Sequence, residues 1–79
     1  MKIRYVGESF GVDSLTDGKV YECLGVELDG LIRVIDDSEE SHGYLYSPTD
    51  PAPLDGSSPG GKWEIVEDDE KGTLAKVIK

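Results

Sequence analysis

Short alternating runs of apolar and polar residues recur along the chain and predict β-strands rather than helices. Residues 2–6 (KIRYV) predict a first strand with Ile3 and Tyr5 on one face, because successive side chains of a strand point to opposite sides. The segment 7–18 is rich in glycine and aspartate and is too long for a tight turn. We expect it to fold back over the core, with Leu15 filling one end.

A hairpin is predicted over residues 19–36. Its signal is the dipeptide Asp29-Gly30, which suits a two-residue type I′ turn with positive φ at both positions. Such a turn pairs Leu28 with Leu31. A bulge at Gly25, where a strand can bend, would shift this register.

Two further strands are predicted at residues 43–47 and 62–67, the second directing Trp63 and Ile65 toward the core. Between them, the segment 48–61 holds four prolines and three glycines and predicts a long, mobile surface loop. The tail 71–79 alternates weakly over its last seven residues, so it predicts either a frayed end or a sixth strand.

The combined pattern predicts an all-β fold, a single domain over residues 1–79 with five or six short strands. An antiparallel meander of this size favours a small SH3-like open barrel. An OB-like barrel is the second choice, because no helix candidate separates the strands.

Four blocks carry a resemblance to a known group: GKVYECLG, LIRVIDDS, YLYSP and WEIVED. They resemble very short SH3-like barrel proteins of bacteria and their phages, over most of residues 1–69. The resemblance implies the barrel fold and a phage or mobile-element origin, but it implies no activity, since the group has no settled function. The segment 47–61 replaces what is a brief connection in that group, and the tail from residue 71 lies outside the resemblance.

Composition narrows the classes of partner. The net charge is −9, from 17 acidic and 8 basic residues, and such a field repels nucleic-acid phosphates. No apolar run approaches the length of a membrane span, and the first ten residues lack the apolar core of a signal peptide. A single cysteine, Cys23, suits a reducing compartment. We therefore expect a cytoplasmic monomer that binds neither nucleic acid nor membrane.

Catalytic and metal-binding chemistry have little support. His42 is the sole histidine and sits in a polar turn without an oriented partner, and Cys23 falls in mid-strand, where a buried thiol is usual. The acidic clusters 36–40 and 67–70 lack the alternating oxygen ligands and central glycine of a calcium loop. The sequence predicts neither an enzyme nor a cofactor.

The aromatic residues of the strand 43–47 are the best functional lead. Tyr44 and Tyr46 share one face of that strand, and Asp36 and Glu40 precede it, so we expect a binding surface of two rings with an acidic rim. The favoured hypothesis is a small acidic protein-interaction module that binds a basic or extended peptide segment of another protein. The alternative is an acidic nucleic-acid mimic that inhibits a host DNA-binding protein.

Overall fold

The computed structural model describes residues 1–78, and its framework is one antiparallel β-sheet. The strands are β1 (Lys2–Gly7), β2 (Val20–Val26), β3 (Ile32–Ile35), β4 (Tyr44–Tyr46) and β5 (Gly61–Glu67). Their order in the sheet is β4-β3-β2-β1-β5, so β1 to β4 form a meander and β5 returns to pair with β1. Within the described residues there is no helix. The prediction of an all-β fold is confirmed.

One face of the sheet, the inner face, is covered by the core. Ile3 and Tyr5 of β1 are fully buried, as their alternation predicts. The neighbouring strands bury residues of the same face, namely Tyr21, Cys23, Ile32 and Val34. Burying each of the large apolar side chains stabilises the fold by about 1.5–3 kcal/mol relative to exposure.

Trp63 is the aromatic centre of this core. Its ring lies edge-on to the rings of Tyr5, Tyr21 and Tyr46, with centroid distances of 5.7, 6.3 and 6.0 Å. Edge-to-face pairs of this kind add to the stabilisation from burial because the positive edge of one ring meets the negative face of the other. Trp63 points inward as predicted, and Ile65 lies on the same face, although it is 38% exposed. Ile65 pairs with the buried Ile3, and it keeps solvent contact because β5 is the edge strand of the sheet.

The β2–β3 hairpin does not have the predicted register. Its turn has three residues rather than two, because Glu27 N–H donates to the Leu31 carbonyl (2.8 Å) and Gly30 N–H donates to the Glu27 carbonyl (2.9 Å). Leu28 therefore lies at the exposed tip and does not pair with Leu31. A bulge between Cys23 and residue 25 shifts the ladder once more. The bulge lies next to Gly25, where the sequence allows a bend.

The connection between β1 and β2 folds back on itself, as expected from its length. Phe10 and Leu15 exchange backbone hydrogen bonds (3.0 and 3.2 Å) and form an isolated bridge. Leu15 is buried in the core cluster, which confirms that this connection contributes an apolar side chain to the core.

Asp37 fastens this connection to the end of β3. Its carboxylate accepts hydrogen bonds from Thr16 Oγ1 (2.8 Å), Lys19 Nζ (2.7 Å) and the Tyr21 hydroxyl (2.9 Å), and its N–H donates to the Ser14 carbonyl (2.9 Å). Partial burial acts to raise the pKa of Asp37, but the hydrogen bonds from Lys19, Thr16 and Tyr21 together outweigh it. The pKa of Asp37 is therefore held below its ordinary value.

We expect Asp37→Asn to lower the free energy of unfolding at pH 7 by about 1–2 kcal/mol, mainly through the hydrogen bonds of Thr16 and Tyr21. The ion pair with Lys19 contributes little to this loss because the lysine is half-exposed and solvent screens its charge. Because the folded pKa lies below the unfolded one, the Asp37 contribution is complete above about pH 3.9 and is lost as pH falls through the folded pKa. Urea titrations of both proteins across this range check the prediction. A stability difference that stays constant from pH 7 down to acid would contradict it.

The loop 48–61 is anchored at both ends. Pro51 is buried, Gly61 N–H donates to its carbonyl (3.0 Å), and Gly60 N–H donates to the buried Ser58 hydroxyl (3.1 Å). Only the tip, residues 54–57, is uniformly exposed. The predicted mobility of this loop stays a prediction, and we expect it at the tip, where no residue is buried.

The tail forms neither a sixth strand nor a frayed end over residues 73–78, so both predictions for this segment are wrong. It makes a helical turn in which Ile78 N–H donates to the Leu74 carbonyl (2.8 Å), and both side chains are buried in the core. Lys79 lies outside the described residues. Leu74 and Ile78 are four residues apart in the sequence. Residues at that spacing share one face both in a strand and in a helical turn, so the apolar pattern alone did not distinguish the two.

Two carboxylates hold the tail in place. Asp68 accepts hydrogen bonds from the backbone N–H groups of Leu74 (2.9 Å) and Ala75 (3.0 Å), and Asp69 accepts from those of Lys71 and Thr73. The hydrogen bond from Leu74 N–H is the largest cause of the lowered pKa of Asp68. The acidic turn before the tail is thus a capping device that satisfies backbone donors.

Candidate functional site

The four residues predicted from the sequence line a single groove. Tyr44, Tyr46, Asp36 and Glu40 all border an open depression of ≈ 900 Å³. One side is formed by β4 and the connection that precedes it. The opposite sides are formed by the tips of the β1–β2 connection and of the loop 48–61.

Asp36 and Tyr46 form the floor of the groove. The Tyr46 hydroxyl donates to Asp36 Oδ2 (2.5 Å), and Ser38 donates to Asp36 Oδ1 through its N–H (3.0 Å) and its hydroxyl (2.6 Å). Burial is the larger cause of the raised pKa of Tyr46, and the neighbouring Asp36 carboxylate is the second. The Tyr46 hydroxyl therefore keeps its proton. Asp36 is only 6% exposed, so its predicted position on an exposed rim is wrong. It fixes the orientation of the Tyr46 ring from below.

Tyr44 and Glu40 form the exposed part of the predicted surface. Tyr44 is 44% exposed, and its ring lies edge-on to the His42 ring with centroids 5.1 Å apart. The Glu40 carboxylate lies 3.9 Å from His42 Nδ1 and is otherwise open to solvent. These two side chains are therefore free to contact a ligand, whereas Tyr46 is half-buried against Trp63.

The charges along the groove are of one sign. Its lining includes five carboxylates, those of Asp13, Asp36, Glu40, Asp50 and Asp55. Among the described residues that line the groove there is no Lys, Arg or His. Arg33 and His42 lie just outside the lining, beside Leu45 and Tyr44, whereas Lys2, Arg4 and Lys62 lie on the paired strands β1 and β5. A groove with low-dielectric walls focuses such a field and concentrates cations in it.

Sequence reasoning missed half of this groove. Asp50, Asp55 and Leu54 come from the loop 48–61, which the sequence predicts as mobile, and Asp13 comes from the tip of the β1–β2 connection. The available signal was that the loop directly follows β4 and holds two aspartates, one on either side of the apolar run 51–54. The groove also has an apolar share, which comprises Phe10, Leu31, Leu45, Pro53 and Leu54.

Other chemistry has no comparable support. Burial raises the pKa of Cys23, so the thiol is neutral at pH 7. Within residues 1–78, no three His, Cys, Asp or Glu side chains are grouped so as to hold a metal ion. In the same part of the chain, no helix is long and apolar enough to cross a membrane.

No protein-family model, curated protein or solved structure matches the chain. Its function is therefore inferred from the groove itself.

Proposed function

We propose that the chain is a small protein-interaction module whose acidic groove binds a basic, extended segment of a partner protein. The observation that carries the proposal is the groove lining, which joins five carboxylates to exposed apolar and aromatic side chains without a basic residue. A cation such as lysine or arginine is attracted by that field, and the exposed ring of Tyr44 offers it a π face.

The fold supports this reading. We propose that the sheet curls into an SH3-like open barrel, because β5 returns to β1 at one end of a four-strand meander and the β1–β2 connection folds back beside the groove. Peptide-binding domains of that architecture receive extended segments on aromatic side chains. The apolar groove residues would contact the backbone and side chains of such a segment.

The alternative function, a nucleic-acid mimic, is less well supported. A mimic needs carboxylates that stand free along one face at phosphate-like intervals. Here Asp36 and Asp37 accept hydrogen bonds from side chains of the same chain, and Asp68 and Asp69 accept them from backbone N–H groups of the tail. These four carboxylates serve the fold.

Charge reversal in the groove tests the proposal. We expect Glu40→Lys combined with Asp50→Lys to weaken the binding of a short peptide of alternating lysine and valine by at least about tenfold, because both exposed carboxylates face the ligand. Binding is measured by NMR titration of the labelled protein, with a glutamate–valine peptide as the negative control.

A matched variant separates the groove from the overall field. Glu67→Lys combined with Glu70→Lys changes the net charge equally, but both residues are exposed and lie outside the groove. We expect this variant to change affinity by less than about threefold, since neither residue lines the groove and exposed charges that do not contact the ligand are screened by salt. Equal weakening by the two variants would show that net charge, not the groove, attracts the peptide.

A further inference from the structure

The groove is bordered by an open edge of the sheet. β4 is the last strand on its side and pairs only with β3. Among the hydrogen bonds of residues 1–78, none joins a backbone group of Tyr44, Leu45 or Tyr46 to any segment other than β3. In an antiparallel ladder alternate residues direct their N–H and C=O away from the partner strand. β4 therefore presents unpaired backbone groups to the groove.

This edge lacks the usual protection. Exposed edges are commonly guarded by charged residues or proline within the strand, which discourage pairing with another chain. β4 reads Tyr-Leu-Tyr and has neither, whereas the opposite edge strand, β5, carries Lys62, Glu64 and Glu67. The short apolar edge lies in the groove and the long charged edge lies outside it.

The two faces of β4 differ in charge. Tyr44 and Tyr46 lie on the inner face, opposite Val34 and Ile32, and Tyr46 contacts the Asp36 carboxylate. Leu45 lies on the other face, opposite Arg33. A strand added beside β4 would therefore place alternate side chains next to the two tyrosines, above the buried Asp36 carboxylate, and the remaining ones next to a leucine and a guanidinium.

We propose that the partner segment binds by strand addition to the free edge of β4. Its basic side chains lie on the face of Tyr44 and Tyr46, and its apolar side chains lie on the face of Leu45, where Arg33 repels a second cation. The occupant is thus a short extended segment of another protein in which basic and apolar residues alternate. This inference rests on the proposed function, since it specifies how the same groove holds its ligand.

The test uses the full chain and the alternating lysine–valine peptide in two N-methylated forms. One form is methylated at every lysine amide and the other at every valine amide, so charge and side chains are the same. Only one set of amides faces β4 in an added strand, because backbone groups alternate in direction. We expect one form to bind at least about tenfold more weakly than the unmodified peptide and the other to bind within about threefold.

Hydrogen exchange locates the pairing. We expect the outward amide groups of β4 to exchange at least about tenfold more slowly in the complex, because each gains a hydrogen-bond acceptor. Equal effects of the two methylated forms would overturn strand addition while leaving groove binding intact. Protection confined to Gly61–Glu67 would overturn the assignment to β4. A failure of every basic peptide to shift groove resonances would instead reject the proposed function.

Discussion

Replacing Leu74 with alanine should lower the free energy of unfolding by about 2–5 kcal/mol, the usual cost of truncating a fully buried leucine. Leu74 is 0% exposed and belongs to the core cluster, although it lies in a tail that the sequence predicts to be frayed or to form a strand. A chain of this size has a thin core, so the loss is a large share of its total stability.

Leu28→Ala is the matched control, because the same atoms are removed from a side chain that is fully exposed at the tip of the β2–β3 turn. We expect it to change stability by less than about 0.5 kcal/mol. Urea denaturation of both variants, followed by tryptophan fluorescence, compares them directly. If Leu74→Ala were as mild as Leu28→Ala, the tail would not be packed on the core in solution.

Replacing Gly60 with alanine should be more destabilising than the same change at Gly56 in the same loop. Both glycines have positive φ, +73° and +74°, which costs a side chain about 1–2 kcal/mol. A Cβ at position 56 meets nothing within 4 Å, whereas one at position 60 would lie 2.1 Å from the Pro51 carbonyl oxygen. We expect the clash to add about 1–3 kcal/mol at position 60.

The comparison also tests how the loop 48–61 is held. Gly60 lets the end of the loop approach Pro51 and Ala52, and this contact supports the segment that lines the groove. We therefore expect Gly60→Ala to shift the NMR resonances of the whole loop, and Gly56→Ala to shift only those near the tip. Equal losses of stability in thermal unfolding would mean that the two ends of the loop, at Pro51 and Gly60, do not pack against each other as described.

The proposed groove binding would give a role to a loop that otherwise costs conformational entropy. The loop 48–61 supplies Asp50, Asp55 and Leu54 to one wall while its ends are fixed by Pro51 and Gly60. Loops positioned by a rigid scaffold commonly carry binding residues, because their sequence is not constrained by the core. The tip can then adjust to a ligand without disturbing the sheet.

Prediction from sequence succeeded where a local rule decides the outcome. Alternation of period two determined the inward direction of Ile3 and Tyr5, because each strand has only two faces and one must be buried. It also brought Tyr44 and Tyr46 to one face of β4. The same rule failed for the pairing of Leu28, since one extra turn residue moves every later residue of a ladder.

The sequence by itself determined the all-β class, the inner face of the central strands and the acidic, aromatic character of the region around β4. Only the tertiary structure decided that Asp36 lies beneath Tyr46, that Leu74 completes the core and that the loop 48–61 lines one wall of the groove. The physical reason is the difference between local and tertiary interactions. Strand periodicity and composition can be read from the chain alone, whereas these three features depend on contacts that form only once the sheet has brought separate segments together, as it does for Asp36 and Tyr46.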